Sequence, residues 1–183
     1  MVSRAEKKGP TWTPLPAILV AVALAILLGV ILFEPISVDG ASMEPVIERG
    51  RTVIVLRVAY GLRLPFSKRY LMQWKSPERD DIIVFRAPNQ KQKLMKRVAV
   101  AVDEYIQIYG DIMTLNNNSV LLDPKVASEL SRYDRMPPGF VFVTGDNLAV
   151  SRDSRHFGFV PSSSILGRVI VPPEMRWNER NEP

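Results

Sequence analysis

Leu94-Met95-Lys96-Arg97-Val98-Ala99-Val100-Ala101-Val102 decides how this chain is read. Seven of its nine residues are apolar, three of them valines, and neither Gly nor Pro interrupts it. That composition over that length reads as a strand. Lys96 stands where the chain enters the apolar run. In water a Lys of pKa ~10.4 is less than about 1% neutral at pH 8. Lowering that value to ~8 takes about 3 kcal/mol of differential destabilisation of the ammonium, which burial can supply. Lys91 and Lys93 sit among Gln and Asn in an expected turn and read as solvated. Taken alone, Lys96 reads more readily as a strand-end surface charge than as a neutral amine.

Similar β-rich runs occur on both sides of this one. Residues 52–58, 82–86, 105–109, 112–115, 140–144 and 165–171 read as strands, punctuated by Gly110-Asp111 and Asn116-Asn117-Asn118. Residues 124–132 suit one short helix before the Pro137-Pro138-Gly139 break. The expected fold is mainly β, with two antiparallel sheets or a barrel-like catalytic domain behind one N-terminal transmembrane helix. Residues 34–171 form that domain, and 172–183 form a polar tail expected to be disordered.

Residues 11–33 carry no charge, and as a helix they are long enough to cross ~30 Å of hydrocarbon. Arg4, Lys7 and Lys8 precede them and Glu34 follows, so residues 1–10 are expected in the cytoplasm and the rest outside. A cleaved signal peptide shares the basic start. Its apolar region is shorter, ~7–15 residues, and ends at small residues, whereas Phe33-Glu34-Pro35-Ile36 follows here. An uncleaved anchor is the preferred reading. Residues 60–74 interleave Leu, Phe, Tyr and Trp with Arg63, Lys68 and Arg69, which suits either a membrane interface or an ordinary core hairpin.

Composition narrows the chemistry. Across 183 residues there is no Cys and one His, so four-ligand zinc sites, cysteine nucleophiles and iron–sulfur clusters are excluded. A net charge of +5 without a long basic run gives no reason to invoke nucleic acid. No metal or other cofactor is expected. A Ser-His-Asp triad would have to use His156, which more simply reads as a structural histidine. A serine activated by a neutral lysine remains. Gly40-Ala41-Ser42-Met43-Glu44-Pro45 offers the serine, with small residues before it and a proline that restricts the turn after it. Nine residues past Phe33, Ser42 lies within ~30 Å of the membrane segment even with the chain fully extended.

Ser42-Met43-x-Pro45, the strand from Arg79-Asp80-Asp81 to Phe85, the pair Lys96-Arg97, and Gly145-Asp146-Asn147…Ser151-x-Asp153-Ser154-Arg155-x-x-Gly158-Phe159-Val160-Pro161 occur in this order. Together they resemble the bacterial type I signal peptidases, or leader peptidases, across nearly all of the outer domain. The resemblance implies a membrane-anchored endopeptidase that removes signal peptides from exported preproteins, cutting after Ala-x-Ala-type ends. It implies Ser42 as nucleophile and Lys96 as general base, with the Ser42 backbone N–H in the oxyanion hole. Ser151 would orient the Lys96 amine, and Asp153 and Arg155 would pair to hold their loop. Ile36, Val38, Gly40 and Met95 would line the substrate site. The implied partners are signal peptides and the lipid bilayer, and the implied location is the bacterial cytoplasmic membrane, crossed once, with the catalytic domain outside.

This chain departs from the family pattern at three places. Some members have a serine where Gly40 stands; after Lys-Arg the usual Pro-Gly-Asp turn is missing; and Leu148-Ala149-Val150 replaces a polar Arg-Asp-Asn. The altered loop keeps open a narrow-substrate relative, such as a pilin or conjugation maturation peptidase. A catalytically inactive anchored partner is the non-enzyme alternative.

Overall fold

The structure is a computed structural model, and it describes residues 15–63, 70–87, 92–115 and 118–170. The chain divides into two compact units, Met1–Leu32 and Phe33–Pro183. In the first, α1 (Leu15–Leu32) is apolar all round, with a mean hydropathy of 3.0 and no buried residue. By length and composition it is able to cross a membrane. Phe33, expected to close this segment, instead opens the first strand. The expected cytoplasmic stretch 1–10, residues 11–14 and the tail 172–183 lie outside the described residues.

The second unit is mainly β. Its strands are β1 (Phe33–Ser37), β2 (Thr52–Leu56), β3 (Gly61–Arg63), β4 (Tyr70–Gln73), β5 (Ile82–Arg86), β6 (Lys93–Val100), β7 (Ile108–Tyr109), β8 (Ile112–Leu115), β9 (Asn118–Leu121), β10 (Phe140–Thr144), β11 (Val160–Pro161) and β12 (Ile165–Ile170). Seven make one antiparallel sheet in the order β1-β2-β12-β5-β6-β10-β11, while β3-β4 and β7-β8-β9 form two small sheets. Three strands separate β1 from β6. In a flat sheet, at ~4.8 Å per strand, the two would lie roughly 19 Å apart. Glu34 of β1 nevertheless forms an ion pair with Lys93 of β6, so the sheet curls toward a half-barrel.

Curling explains the continuous apolar runs. Ile83 and Phe85 of β5 belong to one buried cluster, and Ile82 and Val84 to another on the opposite face. A strand packed on both faces shows no alternation. Where 105–109 was expected to be one strand, only Ile108–Tyr109 pairs, and Tyr105 makes an isolated bridge to Arg135. The helix expected at 124–132 forms as α2 (Pro124–Leu130), with Asp123 accepting the Lys125 N–H at its start. The stretch 60–74 does contain a hairpin-like pair, β3 with β4. Tyr60 is buried, but Leu62, Leu71, Met72 and Trp74 are exposed, so those four are not core. Residues 64–69 of that stretch lie outside the described residues.

Candidate active site

Ser42 sits in the loop that connects β1 to β2. Val38 N–H donates to the Arg51 carbonyl at 3.0 Å and Gly50 N–H to the Val38 carbonyl at 2.7 Å, which closes the loop at its base. Met43 and Ile47 are fully buried in the cluster beneath β1, β2 and β5 and anchor its middle. Lys96 lies opposite Ile83 in the β5–β6 register and is 3% exposed. Its Nζ lies 2.6 Å from Ser42 Oγ and donates to the Met95 carbonyl at 3.0 Å. Burial lowers the pKa of Lys96 below the ordinary lysine value, and the carboxylates of Asp153 and Asp146 partly offset that. An amine so placed can take a proton from the serine hydroxyl.

A second loop, leaving the end of β10, closes the site from the other side. Asn147 N–H donates to the Ser42 carbonyl at 3.1 Å. Gly145 is wedged in: a Cβ there would fall 2.3 Å from Ser151 Oγ and 2.4 Å from the Ser42 carbonyl oxygen. The glycine is required by close approach, whereas Gly145-Asp146-Asn147 read from sequence also suited a plain tight turn. Arg97, next to Lys96, grips Asp146 with two hydrogen bonds of 2.7 and 2.9 Å, both side chains being buried.

Asp153 is fully buried and accepts from the Gly145 N–H at 3.0 Å and from Arg155 Nε at 2.9 Å. Burial alone would raise its pKa; the hydrogen bonds from Arg155 and Gly145 overcome this and hold the carboxyl below its ordinary value. The Ser151 hydroxyl adds to that pull but makes no hydrogen bond of good geometry, and its Oγ is buried without a partner. The bond from Ser151 to Lys96 that the resemblance implies is therefore not formed in this structure. Arg155 also donates to the carbonyls of Leu148 and Ser151, which ties down the loop carrying Leu148 and Val150, both exposed. His156 belongs to the capping box of α3 (Ser154–Phe157), where its Nδ1 faces the Asp153 N–H.

A cavity of about 150 Å³ opens beside Ser42 and Lys96. Ile36, Val38 and Gly40 line it from the β1 side and Met95 from β6, so the four residues expected at a substrate site share one wall or the other. Sequence reasoning did not single out Val84 or Lys93, which also line the cavity. Lys93 was expected in a solvated turn; it opens β6 and pairs with Glu34. The turn that replaces Pro-Gly-Asp is built differently: Asp103 takes a positive φ of 64°, and Glu104 accepts the Ala101 N–H while binding Arg79 through both oxygens. Among the described residues, no group of acidic, His or Cys side chains is arranged to hold a metal.

Comparison with known proteins adds a family to this geometry. The family model described as signal peptidase, peptidase S26, matches residues 11–173. A signal peptidase I of Bacillus caldolyticus is 34% identical, with 92% of each chain covered. A probable signal peptidase I-1 of a Synechocystis strain is 30% identical over 90% of this chain and 84% of its own. A crystal structure of a signal peptidase I from Enterococcus faecalis V583 matches 53% of this chain and 98% of that one, at 29% identity and a TM-score of 0.38. With most of its length matched by the family model and by relatives 30% and 34% identical, the chain belongs to the signal peptidase family S26.

Proposed function

We propose that this chain is a membrane-anchored serine endopeptidase that removes signal peptides from exported preproteins, with Ser42 as nucleophile and Lys96 as general base. The observation that carries the reading is the buried Lys96 amine, 2.6 Å from Ser42 Oγ, at one end of a cavity with two open strand edges. Among the described residues, β6 below Arg97 pairs only with β5, and β1 pairs only with β2. An extended peptide can add between them, using backbone hydrogen bonds for affinity and the apolar floor for its side chains.

In the proposed reaction neutral Lys96 accepts the Ser42 proton as Oγ attacks the carbonyl carbon after a small residue. The developing oxyanion is held by the Ser42 backbone N–H. The Lys96 ammonium then gives its proton to the departing amine, and water, activated by the same lysine, releases the signal peptide from Oγ. Arg97–Asp146 and Arg155–Asp153 hold the Lys96 backbone and the neighbouring loop, and Ser151 orients the amine when its hydroxyl turns toward it. Residues 11–33 serve as the anchor, with 1–10 in the cytoplasm and 34–171 outside. The exposed apolar side chains of Leu148 and Val150 support a narrowed substrate range as the second reading. Cleavage of a preprotein panel by the full-length chain and by Ser42→Ala tests both. Cutting of many preproteins after small residues by the wild type alone supports the first reading, and cutting of one class alone supports the second.

A further inference from the structure

The floor of the groove changes character along its length. Glu34 and Ile36 of β1, and Val38 immediately after it, follow one another in steps of two and lie on its less exposed face. On β6, Met95 and Lys93 do the same. Ile36 and Met95 pack on the same buried cluster, so the floor between them is apolar. One step further from Ser42, Glu34 and Lys93 meet across the groove as an ion pair, with side chains 29% and 40% exposed. Arg57, in the turn after β2, reaches the same carboxylate at 3.9 Å.

An extended substrate has the same two-residue period as the strands that hold it. Its first, third and fifth residues before the cleaved bond turn toward the floor. From Val38 to Glu34 is four residues, about 13 Å, which is also the distance from the first substrate residue to the fifth. We infer that Glu34 and Lys93 form a subsite for the fifth residue before the cleaved bond, one that takes a polar side chain and rejects a large apolar one. This rests on the peptidase reading above. A polar residue there hydrogen-bonds to the pair, whereas leucine strips water from both charges without replacing it. The pair therefore marks where the apolar part of a substrate must already have ended.

The test uses the full-length chain in detergent and one peptide substrate varied only at its fifth residue before the cleaved bond: Ser, Leu, Glu or Lys. The wild type is expected to cut the Ser peptide about fivefold faster, in kcat/KM, than the Leu peptide. Glu34→Gln removes the carboxylate that Lys93 and Arg57 share, so the Glu-to-Lys ratio should rise about fivefold; Lys93→Gln should move it the other way. Opposite shifts from two conservative changes are not what loss of a purely structural brace would produce. Equal rates for Ser and Leu in the wild type, or a Glu-to-Lys ratio unmoved in both variants, overturns the subsite while leaving the peptidase reading intact. No cutting of the Ser peptide by the wild type overturns the peptidase reading and the subsite with it.

Discussion

Burial lowers the pKa of Lys96, with Asp153 and Asp146 pulling the other way. The folded chain thus holds this proton less tightly than the unfolded chain does. Between the lowered folded value and the unfolded value near ~10.4 the unfolded state binds more protons, so stability from this group increases with pH. Lys96→Met should abolish that contribution: in urea titrations the wild type gains stability on the variant as pH rises from 7 toward 10. A constant difference would contradict the burial argument. Activity should rise through the same window as the amine becomes neutral, and a pH–rate profile level from neutral to alkaline pH would contradict the role of Lys96. Nearby, Asp146→Ala leaves the buried Arg97 guanidinium unpaired, with an expected cost of about 3 kcal/mol or more in chemical denaturation. Gly145→Ala should abolish activity, since its Cβ would collide with Ser151 and the Ser42 backbone. Full turnover by that variant would show that the contact is not needed.

Secondary structure was most legible where a buried run has no interruption. Strands β5 and β10 form at the residues expected, and β6 starts one residue earlier and ends two residues earlier than expected. Ile83 shows why β5 was so clear: it is fully buried and sits opposite Lys96. Ile83→Ala should cost about 2–5 kcal/mol in the same denaturation assay. β1 was hidden because Phe33 continues the apolar segment and Glu34-Pro35 resembles its terminator. Its place at the sheet edge is what lets Pro35 sit in a strand without losing a ladder bond. Lys93 was misjudged for a related reason. Its partner Glu34 is 59 residues away in sequence, and only the curl of the sheet brings them together. Ser42 and Lys96 were likewise legible as separate candidates, while the Gly145 wedge and the Arg97–Asp146 grip depend on a loop returning from β10.

The two units make different demands on their surroundings. No residue of α1 is buried, and the second unit carries all three hydrophobic clusters. A chain lacking residues 1–32 should therefore unfold within a few degrees of the full-length protein and no longer co-sediment with lipid vesicles through α1. A large fall in melting temperature would mean that the helix contributes to the β fold. The whole-molecule account comes down to one reaction at one serine. The most direct measurement is cleavage of a secretory preprotein by purified full-length protein in detergent, beside Ser42→Ala and Lys96→Ala, with the new N-terminus sequenced. The account predicts cutting after a small residue by the wild type and none by either variant. Normal turnover by Lys96→Ala, or cutting by Ser42→Ala, would contradict it.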